Sequence, residues 1–281
     1  MKTDIFNKFK YYILLIANEK YPVIRKRKYD LEYYLTNFVY ILNDVNKWSS
    51  LRFINKDAKC NHWKSIYNEF LKWSKDNIFE KAFQLLLSKE YFKLSKVRRN
   101  KKINLFIDAT KINNKSGVEG ITINGENKKK NVTSIIFIND HNNLPLSFVK
   151  QNIKRTLYNG RNTSTSEIKN VQNALNKITI NIRDYIKCDI IADKGYITQE
   201  KFRVFNREIH ITTPKKKNQK IRNTQREKAL LKTRYKIENF FAFLKKNHRV
   251  ATRNEHKYIN YESFVYMTLI EYYSGKIINS S

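Results

Sequence analysis

Three acidic residues in a strongly basic chain have the types and settings for phosphoryl-transfer chemistry. Asp108 lies at the end of "INLFIDA" (103–109), and Asp193 closes "KCDIIAD" (187–193). Both runs are short, apolar and continuous, the pattern of a buried strand. Each carboxylate is therefore expected at the C-terminal end of a strand, where open α/β sheets place their working crevice. Two such carboxylates on adjacent strands repel unless a cation lies between them. Hard divalent cations such as Mg2+ take carboxylate oxygens and keep positions open for water and phosphate.

The third acid is expected from "EKALLKTRYKIENFFAFLKKN" (227–247), read as one long helix. With Arg234 at zero and about 100° per residue, Glu238 falls near ~40° and Lys245 near ~20°. Leu230, Ile237, Phe240, Phe241 and Leu244 fall on the neighbouring side, so the helix packs by one side and offers Arg, Glu and Lys on the next. Taken alone, Arg234 and Glu238 read as an i,i+4 pair on a solvated face. The two upstream aspartates and the charge of the chain favour a third metal ligand, with Arg234 and Lys245 bracketing it as phosphate contacts. Three carboxylates holding two ions about 3.5–4 Å apart form an in-line displacement site that needs no covalent protein nucleophile.

The elements that must position these residues divide at "KVRRNKK" (96–102). Residues 1–97 read as an N-terminal all-α, helix-turn-helix-like domain for DNA binding, with amphipathic stretches at 29–44, 62–77 and 79–92. Residues 98–281 read as an α/β domain with a mixed sheet flanked by helices. In it, 131–140 and 144–149 form a hairpin around "HNN", and 166–182 and 198–208 are helices, the second capped by Thr198. A strand is expected at 209–214 and a closing helix at 261–274.

The 281 residues carry a formal net charge of +31, and 41% are hydrophobic. A core is within reach, and a polyanion is the expected partner, nucleic acid before an anionic membrane surface. No apolar run reaches the ~18 residues a membrane span requires. Cys60 and Cys188 are the two cysteines; far apart, they suggest a reducing interior rather than a disulfide framework. Cys60 with His62 lacks the second ligand pair of a zinc site. Asp140 reads as structural in its turn, Asp184 as part of a connection, and Asp189 as an outside candidate sharing the facing of Asp193. His210 and His248 read as packing or phosphate contacts, Gly195 as a turn and Tyr196 as packing. Lys111 and Lys194 adjoin the expected ligands and are candidate DNA contacts. The basic runs at 128–130 and 215–217 are candidate trackers of backbone phosphate.

"NLFIDAT", "IADKGY" and "RYKIENFFAFLKKNHRVATR" together resemble the DDE transposases of bacterial insertion sequences, in the group related to eukaryotic Harbinger elements. Arg234, Glu238 and Lys245 match the Arg, Glu and Lys spacing of that family's signature helix. Its usual Tyr falls on Leu231, a departure. "INDHNNLPLSFV", "ITTPKKKN" and the N-terminal helices are similar to family segments too, so the resemblance spans roughly 20–275. It implies an RNase H-like core, two Mg2+ (or Mn2+) ions on Asp108, Asp193 and Glu238, and nicking at element ends followed by 3′-OH attack on target DNA. It also implies double-stranded DNA partners (terminal inverted repeats and target) and a homodimer or larger synaptic complex. The location would be cytoplasm or nucleoid in a bacterium, and nucleus or viral factory otherwise. Two other readings stay open: a nuclease of the same fold without strand transfer, and a DNA-binding protein with an idle site.

Overall fold

The structure is a computed structural model that describes residues 2–22, 29–43, 47–54, 63–95, 102–123, 131–151, 156–158, 161–163, 166–180, 187–193, 196, 202–204, 207–209, 211–215 and 222–280. Its helices are α1 (Thr3–Lys20), α2 (Leu31–Asn43), α3 (Leu51–Ile54), α4 (Trp63–Lys75), α5 (Ile78–Ser95), α6 (Ser166–Asn176), α7 (Gln225–Lys232), α8 (Tyr235–Leu244), α9 (His248–Ala251) and α10 (Tyr258–Ser280). Its strands include β1 (Lys102–Asn114), β2 (Thr122–Ile123), β3 (Asn131–Asp140), β4 (Pro145–Lys150), β5 (Thr156–Tyr158), β6 (Arg161–Thr163), β7 (Lys187–Ala192), β8 (Phe202–Val204), β9 (Arg207–Ile209) and β10 (Ile211–Thr212). No helix among the described residues is long and apolar enough to cross a membrane.

The chain forms two compact units that interleave in sequence. One comprises 1–90, 115–119 and 243–281; the other comprises 91–114 and 120–242. The boundary expected near residue 97 falls close to the first crossing, after Glu90. The closing helix, expected within the α/β domain, groups instead with the N-terminal helices.

The helical unit is held by aromatic packing. Phe38 of α2 meets Phe70 and Trp73 of α4 edge-on, each at 5.3 Å between ring centroids. Phe70 stacks on Phe264 of α10 at 4.6 Å, and Phe83 of α5 contacts Tyr266 and Tyr273 of α10 at 5.8 Å each. Buried phenols find acceptors, as burial requires of them: Tyr266 donates to Glu80 at 2.8 Å and Tyr12 donates to Glu90 at 2.6 Å. α4 and α5 are joined by a tight turn at Asp76–Asn77, and Asn77 takes a positive φ of 56°. Asn accepts that conformation more readily than most residues. Arg253, fully buried, donates to the carbonyls of Glu119, Glu255 and His256. It lies against the Tyr258 and Tyr261 rings at 5.5 and 5.8 Å. Gly117 makes room for it, since a Cβ there would come within 2.4 Å of the guanidinium.

The second unit is built on one mixed sheet in the order β10-β7-β1-β3-β2, with β4 also pairing β3. β1, β3 and β4 run antiparallel in sequence, while β7 and β10 are parallel to β1. This is the RNase H-like arrangement that the resemblance implies. The β3–β4 hairpin forms where expected, and its turn uses Asn143 at φ 64°. Asp140 is fully buried there, accepting from the Asn142 and Leu144 amides and from the Tyr91 hydroxyl. It is structural, as the sequence suggests.

Three expectations are corrected. Asp108 does not end its strand: it is interior to β1, which continues to Asn114. The strand that ends at this level is the parallel neighbour β7, at Ala192. The stretch 198–208 is not a helix in its described part. Phe202–Val204 and Arg207–Ile209 form an antiparallel hairpin, with Phe202 and Ile209 buried opposite each other; Thr198, its expected cap, lies outside the described residues. The stretch 227–247 is not one helix either. It breaks at Thr233–Arg234 into α7 and α8.

Candidate active site

Strand register brings the two aspartates together. Phe106 pairs with Ile191 and Ile107 with Ala192 in the parallel β1–β7 ladder. Asp108 is the next residue of β1, and Asp193 directly follows the end of β7. Side chains alternate between faces, so Phe106 and Asp108 share a face, as do Ile191 and Asp193. Each strand thus presents an apolar residue and then, two residues on, an acid. Ile237 of α8 buries itself on Phe106 and Ile191, and Leu230, Leu231 and Phe241 pack around that cluster. Leu231, at the position of the family's Tyr, serves this apolar contact. Seating Ile237 on the apolar pair leaves Arg234 and Glu238, three residues before it and one after, beside the acid pair.

The junction before α8 aims them. Thr233 and Arg234 donate their amides three residues back, to Leu230 at 3.0 Å and Leu231 at 3.3 Å; Lys236 and Ile237 do the same, to Thr233 at 3.2 Å and Arg234 at 3.0 Å. Such bonds wind the chain about 3.0 residues per turn rather than 3.6. The Thr233 hydroxyl reinforces the tightening by donating to the Leu230 carbonyl at 2.7 Å. α7 itself begins at a capping box: Thr224 accepts from the Glu227 amide, and the Glu227 carboxylate accepts from the Thr224 amide.

Arg234 is the hub of the resulting cluster. One guanidinium nitrogen donates to Asp108 Oδ2 at 3.0 Å. The other lies 3.9 Å from Asp193 Oδ1 and 3.6 Å from Glu238 Oε1. The Asp108 side chain is 18% exposed, against 50% for Asp193 and 60% for Glu238. Burial pushes the Asp108 carboxyl above its ordinary range; the Ala109 amide and Arg234 pull it back, and the other two acids add to the rise. The donor set is three hard oxygen ligands, the type that suits Mg2+ or Mn2+. One acid is hydrogen-bonded and largely buried, and the other two are exposed to solvent. No three such groups among the described residues stand at metal-binding distance, and a guanidinium lies among these three. Three carboxylates of this type are chemically suited to a divalent cation.

The remaining candidates are placed as follows. Strand alternation puts Lys111 on the face opposite Asp108. Lys245 is exposed in the turn after α8 and belongs to the helical unit. Asp189 lies 3.8 Å from Arg226, an ion pair away from the cluster's hub. Tyr196 is buried and donates its amide to the Asp193 carbonyl at 3.0 Å. His248 is exposed at the start of α9. Lys194, Gly195, His210, Asp184, Cys60, His62 and the basic run at 128–130 lie outside the described residues, as do positions 216–217 of the second run. The sequence reading missed the bridging role of Arg234 and the α7–α8 break. It also began the helix at 227 rather than at Gln225, where the pattern "TQRE" at 224–227 was an available signal, since a capping box marks a helix start three residues before Glu227.

The family described as "Transposase DDE domain" matches residues 99–272, more than half of the chain. The chain belongs to the DDE transposase family. This transposase-family chain has no match among curated proteins. Among solved structures it is similar to a chain of the Drosophila P element transposase strand transfer complex, at 10% identity and a TM-score of 0.30. That alignment covers 74% of the present chain and 48% of the other, so the transposase-family chain spans about half the length of that relative.

Proposed function

We propose that this protein is an active transposase. It binds the ends of a mobile element, cuts a phosphodiester bond there, and joins the freed 3′-OH to target DNA. The observation that carries the reading is the convergence of Asp108, Asp193 and Glu238, from β1, the end of β7 and α8, on one guanidinium.

Asp108, Asp193 and Glu238 would hold a pair of Mg2+ or Mn2+ ions, and such ions supply Lewis acidity to the attacking and leaving oxygens of phosphoryl transfer. The chain's own residues do the rest. Asp108, anchored by the Ala109 amide, gives the site a fixed point on the sheet. Asp193 and Glu238 close on it from an adjacent strand end and a helix. Arg234 carries a permanent charge in a planar fork, suited to a phosphate's oxygens. Lys245 and Lys194 are further phosphate contacts in this reading, and Lys111 contacts DNA from the other face of its strand. The helical unit, with α4 and α5 joined by a short turn, binds terminal inverted repeats, and two copies pair the two ends.

A plasmid-joining assay with short element ends and Mg2+ tests the proposal, and joined product is the expected outcome. Ends that are cut and never joined would mark a nuclease, and ends that are bound and never cut would mark an idle DNA-binding protein. Glu238→Ala should reduce cutting at least ~1,000-fold while end binding, read by gel shift, stays within about threefold. Persistent cutting would show that Glu238 is not the third ligand.

A further inference from the structure

The guanidinium of Arg234 holds the very oxygens a divalent cation would need. Asp108 has one oxygen committed to the backbone, since Oδ1 accepts from the Ala109 amide at 2.9 Å. Its other oxygen, Oδ2, takes Arg234 at 3.0 Å. Asp193 Oδ1 and Glu238 Oε1 complete the set at 3.9 and 3.6 Å. Arg234 is half-buried, with its side chain 22% exposed, and arginine remains charged at any working pH. Three carboxylates against one guanidinium leave the cluster with an excess of two formal negative charges, so it still attracts cations.

We propose that Arg234 is an internal competitor for the metal site: it sets the affinity for the divalent cation, and cation entry releases it. The inference rests on the reading of the three acids as metal ligands. A divalent cation and the guanidinium compete for Asp108 Oδ2, because like charges brought together on one partly buried oxygen repel. A metal therefore binds only by displacing the guanidinium from Asp108, and the net affinity is the difference between two interactions. The released arginine stays tethered one helical turn from Glu238. Its charge becomes available to an anionic ligand only in the metal-loaded protein, which couples metal loading to capture of phosphate. Arg234 is thus a positioning residue as well as a phosphate contact.

Mn2+ binding to the full-length protein, without DNA, provides the test, read by calorimetry and by loss of the free-Mn2+ magnetic resonance signal. Arg234→Gln should bind Mn2+ more tightly than the wild type, by about tenfold, or ~1.4 kcal/mol. Arg234→Lys keeps the charge and loses the fork, so it should fall between, about threefold tighter. In melting experiments, saturating Mn2+ should raise the Tm of Arg234→Gln by more than it raises that of the wild type. If Arg234→Gln does not fold, Arg234→Lys supplies the comparison. Wild-type Mn2+ binding that is lost in Glu238→Gln but left equal or weakened by the Arg234 changes would overturn the competition and leave the metal site standing. A wild type and Arg234→Gln that both fail to bind Mn2+ would overturn the metal site and the competition with it.

Discussion

Asp140 shows how burial alone can tune a carboxyl that has no part in the proposed chemistry. Enclosed at the β3–β4 turn, it is pushed up to about 6 from an ordinary 3.8, although three hydrogen bonds from Leu144, Tyr91 and Asn142 pull the other way. The sign of its effect on stability follows. Between roughly pH 4 and 6 the folded chain keeps a proton that the unfolded chain has released. Its contribution is fully present below that window, declines as pH rises through about 6, and is level above it. Asp140→Asn keeps an acceptor for the two amides and cannot ionise. Its Tm should therefore depend less steeply on pH between about 4 and 6 than that of the wild type, a comparison that differential scanning calorimetry would make directly. An unchanged slope would mean that Asp140 does not titrate in that window.

Helices and strands were legible in proportion to how far their patterns outlast ambiguity. β3 and β4 read clearly because apolar residues flank a turn signal. α10 read clearly because its apolar residues run on for several turns. The hairpin at 202–209 did not: Phe202, Arg203 and Val204 alternate for only three residues, too few to outweigh the polar residues around them. The α7–α8 break stayed hidden because a junction that tightens the winding for one turn leaves the apolar spacing on either side intact. Asp108 was placed on the right strand and assigned to its end, because "INLFIDA" gives way to polar residues that nonetheless continue the ladder through Asn113. The three acids that meet at Arg234 stand out in the sequence as charged residues in apolar settings, but the hub role of Arg234 depends on packing that no local pattern carries. The capping box yields a prediction at this scale. Thr224→Ala removes the acceptor for the Glu227 amide and should cost about 1 kcal/mol, seen as a lower urea midpoint with unchanged slope. It should also loosen α7, whose Leu230 and Leu231 help to seat α8 on the sheet.

Across the whole molecule, charge and chain path dominate. With a net +31, attraction to DNA should be largely sequence-independent and strongly screened. Affinity for an unrelated duplex is expected to fall by on the order of a thousandfold between ~50 and ~200 mM salt, measured by fluorescence anisotropy. A shallow dependence would show that few of these cations meet phosphate. The chain path gives a second expectation. Because Phe264, Tyr266 and Tyr273 complete the packing of α4 and α5, a fragment of residues 1–97 should lack a cooperative thermal transition by circular dichroism. Co-expression with residues 243–281 should restore one.

That path also imposes an order on biosynthesis. The ribosome delivers residues 1–90 well before residues 243–281, yet their compact unit needs those later residues as well as 115–119. The sheet and its acids are supplied before the earlier helices can finish burying their aromatic faces. From the synthesis of residue 242 until residues 243–281 have followed, the nascent protein therefore carries a complete α/β unit and a sticky, unfinished helical one, the condition under which a holdase chaperone would find it.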